Sequence, residues 1–250
     1  MWWFELILTC LFASSLLVTL VGVFFKSTRD HAVVKLARSY LPVFMLVFVV
    51  RSFIFQPFKV VSGSLEPTVL VGDFLGVNQS AYGLRLPLTH TKILKTGNPQ
   101  LGEIALFYYP MDETKVFVKR VVGTPGDHII YKDKQLTING VLMTQVKDGI
   151  GFDEEPGELS RLMSQRIEDL KGIKHKIFVD EKRLDEVVDM IVPEGKYFMM
   201  GDNRDNSGDS RQWGYVDDSL LIGRAFRILA SWDTDKWWFR TSRFGSKFYL

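Results

Sequence analysis

The stretch "FKVVSGSLEPTVLVGD", Phe58 to Asp73, places two serines two residues apart, Ser62 and Ser64, with Gly63 between them. A serine hydroxyl is a weak nucleophile until a neighbouring base takes its proton. Histidine is the usual base, but His31, His90, His128 and His175 show no recognisable placement. No Gly-x-Ser-x-Gly elbow surrounds Ser64, which is followed by Leu65 and Glu66. Lys119, in "VFVKRVVGTPGD", is the stronger candidate. Strand alternation puts Phe117, Lys119 and Val121 on one face and Val118, Arg120 and Val122 on the other, so apolar residues flank both charges. A lysine in such company loses hydration, which disfavours its ammonium form, as a general base at neutral pH requires. Taken alone, Lys119 reads more readily as an edge-strand lysine that merely discourages aggregation.

A third element is "GDNRDNSGDSRQWG", Gly201 to Gly214. As a calcium loop starting at Asp205 it fails, because Ser210 stands where glycine is needed and Val216 where glutamate is needed. What remains is a dense cluster of hydroxyls, carboxylates and two arginines, suited to orienting something charged.

These groups need a frame. Trp2 to Phe25 carries a single charge, Glu5, and is otherwise apolar or small, long enough for a membrane span of ~20 residues. A cleaved signal peptide would need basic residues ahead of the apolar run, whereas here they follow it. Leu41 to Phe58 is a second apolar run, interrupted by Arg51, and reads as a second span or as a buried core helix. The loop between them, residues 26–40, holds Lys26, Arg29, Lys35 and Arg38 against Asp30 alone, which places it in the cytoplasm and both flanks outside. Residues 1–57 thus read as a membrane anchor with spans at about 2–25 and 41–57, and residues 58–250 as an exported domain.

That domain is expected to be mainly β. Strands are expected at Phe74–Val77, Glu103–Tyr108, Val116–Val122, His128–Tyr131, Leu136–Ile138, Lys196–Met199 and Gly223–Leu229, with "TPGD", "INGV" and "PEGK" as turns. The more polar section from about 145 to 192 reads as an insertion and includes the helix-compatible "ELSRLMSQRIEDLKG". The C-terminal "DTDKWWFRTSRFGSKFYL" is either a final strand and tail or a contact with the membrane interface. A net charge of +2 without long like-charge runs argues against a nucleic-acid partner, and the lone Cys10 precludes an intrachain disulfide.

The blocks "SGSLEPT", "LGEIALFYYP", "VKRVVGTPGD" and "GDNRDNSGDSRQWG", in that order behind two spans, resemble the type I (leader) signal peptidases, bacterial membrane-anchored Ser-Lys proteases. The resemblance covers nearly the whole chain and is weakest in the insertion. It implies Ser64 as nucleophile, Lys119 as general base and Ser62 as an oxyanion donor beside the Ser64 N–H. An extended backbone there would put Ser62 and Ser64 on one face to address one carbonyl, with Gly63 removing a side chain where substrate backbone must approach. By the same resemblance Ser207 orients the Lys119 amine with Asp209 in support, and Arg120 with Asp202 and Asp209 with Arg211 form structural ion pairs. It further implies preprotein substrates cut after small-x-small sites, no metal or organic cofactor, contact with membrane lipid, and transient contact with the export machinery. The expected location is the bacterial inner membrane with the N-terminus and catalytic domain on the outer side.

Two positions depart from the family pattern, which has Pro before the first serine and Met after the second; here they are Val61 and Leu65. Valine lacks the fixed φ of proline, and leucine is less adaptable than methionine. The rival from another class is an exported binding module that kept the fold, which the presence of Ser64, Lys119 and Ser207 disfavours. Within the enzyme class, a processor dedicated to one substrate stays open beside a general one.

Overall fold

The computed structural model describes residues 2–153, 160–184, 186–233 and 236–250. The first apolar run forms helix α1, Trp2–Phe24, and the second forms α2, Ala32–Val49, continued by a π-helical turn, Val50–Ile54. The second helix starts nine residues before the apolar run does, so Lys35 and Arg38 lie on it and not in a loop. Residues 32–40 contain no glycine or proline to stop the helix propagating toward the turn.

The two helices pack antiparallel. The ring of Phe12 stacks on Phe48 at 4.8 Å, the Ser15 hydroxyl donates to the Ala37 carbonyl at 2.9 Å, and Gly22 leaves room for the Val34 side chain. Small residues and an interhelical hydrogen bond are what hold helices together where no hydrophobic force acts between them. Apolar segments of 20 and 23 residues are each long enough to cross a membrane.

The π-turn leads without a linker into β1, Phe55–Lys59, which pairs with β2, Asp73–Asn78. The short hairpin β3, Leu84–Arg85, and β4, Lys92–Leu94, follows. Next come β5, Ile104–Tyr109, and the long β6, Asp112–Gly123. Strands β7, His128–Lys132, β8, Gln135–Ile138, and β9, Val141–Leu142, form a meander. Its second turn is the "NG" pair, with Asn139 and Gly140 both at positive φ (54° and 75°), as a two-residue hairpin of matching twist requires.

Strands β10, Thr144–Asp153, β11, Arg161–Leu170, and β12, Ile173–Val179, make a separate three-stranded sheet. The helix-compatible segment is therefore a strand over Arg161–Leu170, its first two residues, 158 and 159, lying outside the described residues. Its Leu, Met, Gln, Arg and Glu residues allow a helix, but pairing on both sides, with β10 and β12, overrides that weak local preference. Within the section read as an insertion, β13, Val188–Ile191, pairs with β7 and so joins the meander.

The chain ends with β14, Lys196–Met200, a short helix α3, Ser210–Trp213, β15, Val216–Asp217, the 13-residue β16, Leu221–Asp233, and β17, Trp238–Phe239. The large sheet runs in the order β1, β2, β16, β5, β6, β14, β15, with β17 added to β16. All seven expected strands are present, in a mainly β domain behind two apolar helices. Apolar side chains cover β5 and β6 on both faces: Ile104, Leu106 and Val118 pack into one core cluster, Ala105, Phe107 and Val121 into another.

Candidate active site

Strand β6 has neighbours on both sides. Lys119 lies opposite Ala105 of β5, and Arg120 lies opposite both Ile104 of β5 and Met200 of β14. An edge-strand reading of Lys119 is thereby overturned. With both faces packed, Lys119 is only 4% exposed and Arg120 is fully buried. Because β14 ends beside Arg120, the loop that follows it, from Gly201, starts next to Lys119.

That loop returns Ser207 onto the amine: Lys119 Nζ donates to Ser207 Oγ at 2.9 Å, both groups buried. The same loop grips the serine segment. The Asn203 N–H donates to the Ser64 carbonyl at 3.2 Å and its side-chain Nδ2 to the Gly63 carbonyl at 3.2 Å. Ser62 is extended, but Gly63–Leu65 forms a 3-10 turn, so the two serines do not share a continuous extended backbone as expected. The turn still brings Ser62 Oγ and Ser64 Oγ to 3.4 Å. That is long for an O–H···O bond.

Gly63 does not line the cleft. A Cβ there would meet Asp153 Oδ1 and Glu66 Cδ at 3.4 Å. Gly201 is the glycine that permits close approach, since a Cβ on it would overlap Ser207 Oγ and the Ser64 carbonyl oxygen. Gly201→Ala is therefore expected to lower kcat about tenfold or more by pushing Ser207 off Lys119, with an overpacking cost of about 1–3 kcal/mol. Wild-type turnover in this variant, measured beside its melting temperature, would show that the Ser207 contact is dispensable.

Ser62, Ser64, Lys119 and Ser207 open onto one cleft of about 460 Å3, whose apolar walls include Phe58, Val60, Val116 and Val118. The polar groups of Arg183, Asn206 and Gln212 also line it. Among the described residues no group of three or more His, Cys, Asp or Glu is placed to hold a metal ion.

Beneath the cleft lie the charged supports. Asp209 accepts from Arg211 Nε at 2.8 Å, from Arg211 Nη2 at 2.8 Å and from the Gly201 N–H at 3.0 Å. Burial by itself would raise the Asp209 carboxyl, but Arg211 prevails and holds it below the usual carboxylate range. The Arg211 guanidinium lies over the Tyr131 ring at 5.0 Å. Arg120 grips Asp202 with two bonds, 2.8 and 2.6 Å, and also donates to the Gly102 carbonyl at 2.7 Å.

Sequence reasoning missed a second half of this network. Arg204 pairs through both guanidinium nitrogens with the fully buried Glu168 on β11. His175 on β12 sits 3.5 Å from Glu168 and 3.7 Å from Asp202, with neither ring nitrogen hydrogen-bonded. Burial, then the nearby Arg120, pushes its imidazole down to about 4. Glu168 and His175 lie in the polar middle section, where no motif marks them; Arg204 stood in view within the "GDNRDNSGDSRQWG" block.

Residues 33–232 match the family model described as signal peptidase, peptidase S26. The chain belongs to that family. It is 40% identical to signal peptidase I of Pseudomonas aeruginosa over 224 residues, 84% of this chain and 77% of that protein. It is 33% identical to signal peptidase I of Buchnera aphidicola subsp. Acyrthosiphon pisum over 250 residues, 84% of this chain and 79% of that protein. A crystal structure of a signal peptidase I from Enterococcus faecalis is 28% identical and covers 51% of this chain and 96% of that one, with a TM-score of 0.33. As a member of the signal peptidase family the chain is a hydrolase that removes signal peptides, and its substrates are preproteins that carry them. The two apolar helices fit a membrane-anchored member.

Proposed function

We propose that this signal peptidase works through a Ser64–Lys119 dyad, the reading carried by one observation: a buried lysine amine bonded to Ser207 in a cleft that also presents Ser64 and Ser62. Burial of Lys119 disfavours the ammonium, so its amine takes the Ser64 proton as the hydroxyl attacks the scissile carbonyl. Lys119 returns that proton to the departing amine as the peptide bond breaks, and, neutral again, activates the water that releases the acyl-enzyme. Ser207 holds the amine at one angle, and Asp209, fixed by Arg211 and Gly201, holds the loop that carries Ser207. The Ser62 hydroxyl, beside the Ser64 N–H, faces the oxygen on which charge develops.

The apolar walls near Ser64, Val60 and Val118 among them, suit small side chains and support cleavage after small-x-small sites in preproteins. The family resemblance supports a bacterial inner-membrane location, and the basic residues between the apolar runs support an orientation with the catalytic domain and N-terminus outside. Packing of the helices as an antiparallel pair supports the N-terminus and catalytic domain lying on one side. Trp237 and Trp238, 77% and 74% exposed, are suited to the headgroup layer, while contact with the export machinery would be transient.

The test is cleavage of a purified preprotein bearing an Ala-x-Ala site, with the new N-terminus sequenced. Wild type is expected to cut after the site. Ser62→Ala is expected to cut there about 10²–10³-fold more slowly through kcat, the cost of one oxyanion donor. A Ser62→Ala enzyme that is impaired only in KM would remove Ser62 from the oxyanion site.

A further inference from the structure

Glu5 is the one charge in the first apolar run, and it lies outside residues 33–232 that match the family model. A carboxylate near the end of a span is retained at a cost, and it points to a partner. The structure supplies that partner in the catalytic domain. Glu5 Oε1 accepts from the Leu88 N–H at 3.4 Å, and Glu5 Oε2 lies 3.9 Å from His90 Nε2. Leu8, one helical turn on, is buried and lines the same small cavity, with Arg51, Gln79, His90 and Tyr108 around it.

The turn that receives Glu5 is rigid. Leu88 and His90 both adopt positive φ, 69° and 54°, a conformation side-chain-bearing residues hold only where the surroundings enforce it. Arg85 enforces it from below, donating to the His90 carbonyl at 2.6 Å and to the Leu221 carbonyl at 2.8 Å. Lys92 ties the other end of the hairpin to Asp218 at 2.7 Å. A push on Glu5 is thus passed to β16 and the main sheet without a flexible link.

The second span already joins this sheet through β1. One junction leaves the domain free to tilt about it, and the tilt matters. Ser64 lies ten residues beyond Ile54, a reach of up to about 33–36 Å when extended, so modest tilting would move it far along the membrane normal. A second junction removes that freedom. We propose that Glu5 is a positioning residue: it docks the first span on the 86–90 turn and fixes the height of the cleft above the membrane. It thereby sets the distance between a preprotein's apolar segment and the bond that is cut. This rests on the reading of Ser64 as the nucleophile.

The experiment uses the full chain in phospholipid vesicles and two substrate sets. One is a water-soluble peptide containing an Ala-x-Ala site and no apolar segment. The other is a series of membrane-embedded preproteins with zero to four residues inserted between apolar segment and site. Wild type should cut the peptide and show one preferred spacer. Glu5→Ala should cut the peptide within twofold of wild type, cut the best preprotein about three- to tenfold more slowly, and accept the other spacers almost equally well. Glu5→Gln, which keeps an acceptor for Leu88, should fall between. Superimposable spacer profiles for Glu5→Ala and wild type would overturn the proposal. So would equal losses on peptide and preproteins, since Glu5 would then support folding and not tilt. A wild type inert toward both substrate sets would instead refute the reading of Ser64.

Discussion

Ser64→Ala and Lys119→Ala are each expected to lower kcat/KM for a preprotein about a thousandfold or more, and the double variant is expected to be no slower than the worse single one. The nucleophile's loss removes the acyl-enzyme route outright. Loss of a general base costs about 10²–10⁴ on its own. Residues that act as one unit do not add: once the base is gone, the hydroxyl it would have activated contributes little. Both side chains are nearly buried, 8% and 4% exposed, in a shared cleft, so a change in one has no compensating route through solvent. Lys119→Arg makes the case sharper. A guanidinium keeps its proton at any pH the protein survives, so it can satisfy Ser207 but cannot accept a proton from Ser64. Single-turnover cleavage across a pH range decides the matter. Multiplicative losses in the double variant, or an unchanged pH profile for Lys119→Arg, would dissolve the dyad.

The site was largely legible because its residues sit in short contiguous blocks whose strand or loop character is set locally. Lys119 and Arg120 are adjacent on β6, so alternation alone sends them to opposite faces. What alternation cannot give is which strands flank β6, and hence whether Lys119 lies on an edge; that is decided by β5 and β14, the latter 73 residues away from Gly123 at its start. The Gly63–Leu65 turn was misread as extended for a related reason. Its shape is imposed by Asn203, which bonds the Gly63 and Ser64 carbonyls from 140 positions on. Residues 161–170 show the same limit: their helix-compatible side chains lose to pairing with β10 and β12. Buried Glu168 went unmarked because the arginine that pairs with it, Arg204, comes 36 residues later.

That buried network carries the other large effect. Arg120→Met is expected to destabilise the protein by about 3–5 kcal/mol, the usual result of stranding one charge of a buried pair. At about 2–4 °C per kcal/mol for a domain of this size, the melting temperature should fall by roughly 6–20 °C. The acid response should change as well. In the wild type, His175 is held at about 4, below its ordinary 6.5, so between those values the unfolded chain binds a proton that the folded chain refuses. Stability from this group is therefore complete above pH 6.5 and is lost as pH falls toward 4, at a slope of at most about 1.4 kcal/mol per pH unit. Burial is the main cause of the depression, and Arg120 is the next. Removing Arg120 leaves Asp202, 3.7 Å from the imidazole, to attract a proton onto it. The imidazolium then partly replaces the lost guanidinium. The variant should accordingly start from a lower melting temperature yet lose less of it between pH 7 and 5 than the wild type does. In the wild type Asp202 and Glu168 stay out of this window, because their arginines outweigh burial and hold both below the usual range. In the variant Asp202 loses its arginine, and a proton that it takes up or shares with His175 acts in the same direction, favouring the folded state as pH falls. Thermal unfolding followed at several pH values separates the outcomes: parallel curves for variant and wild type would mean that Arg120 does not govern the charge on His175.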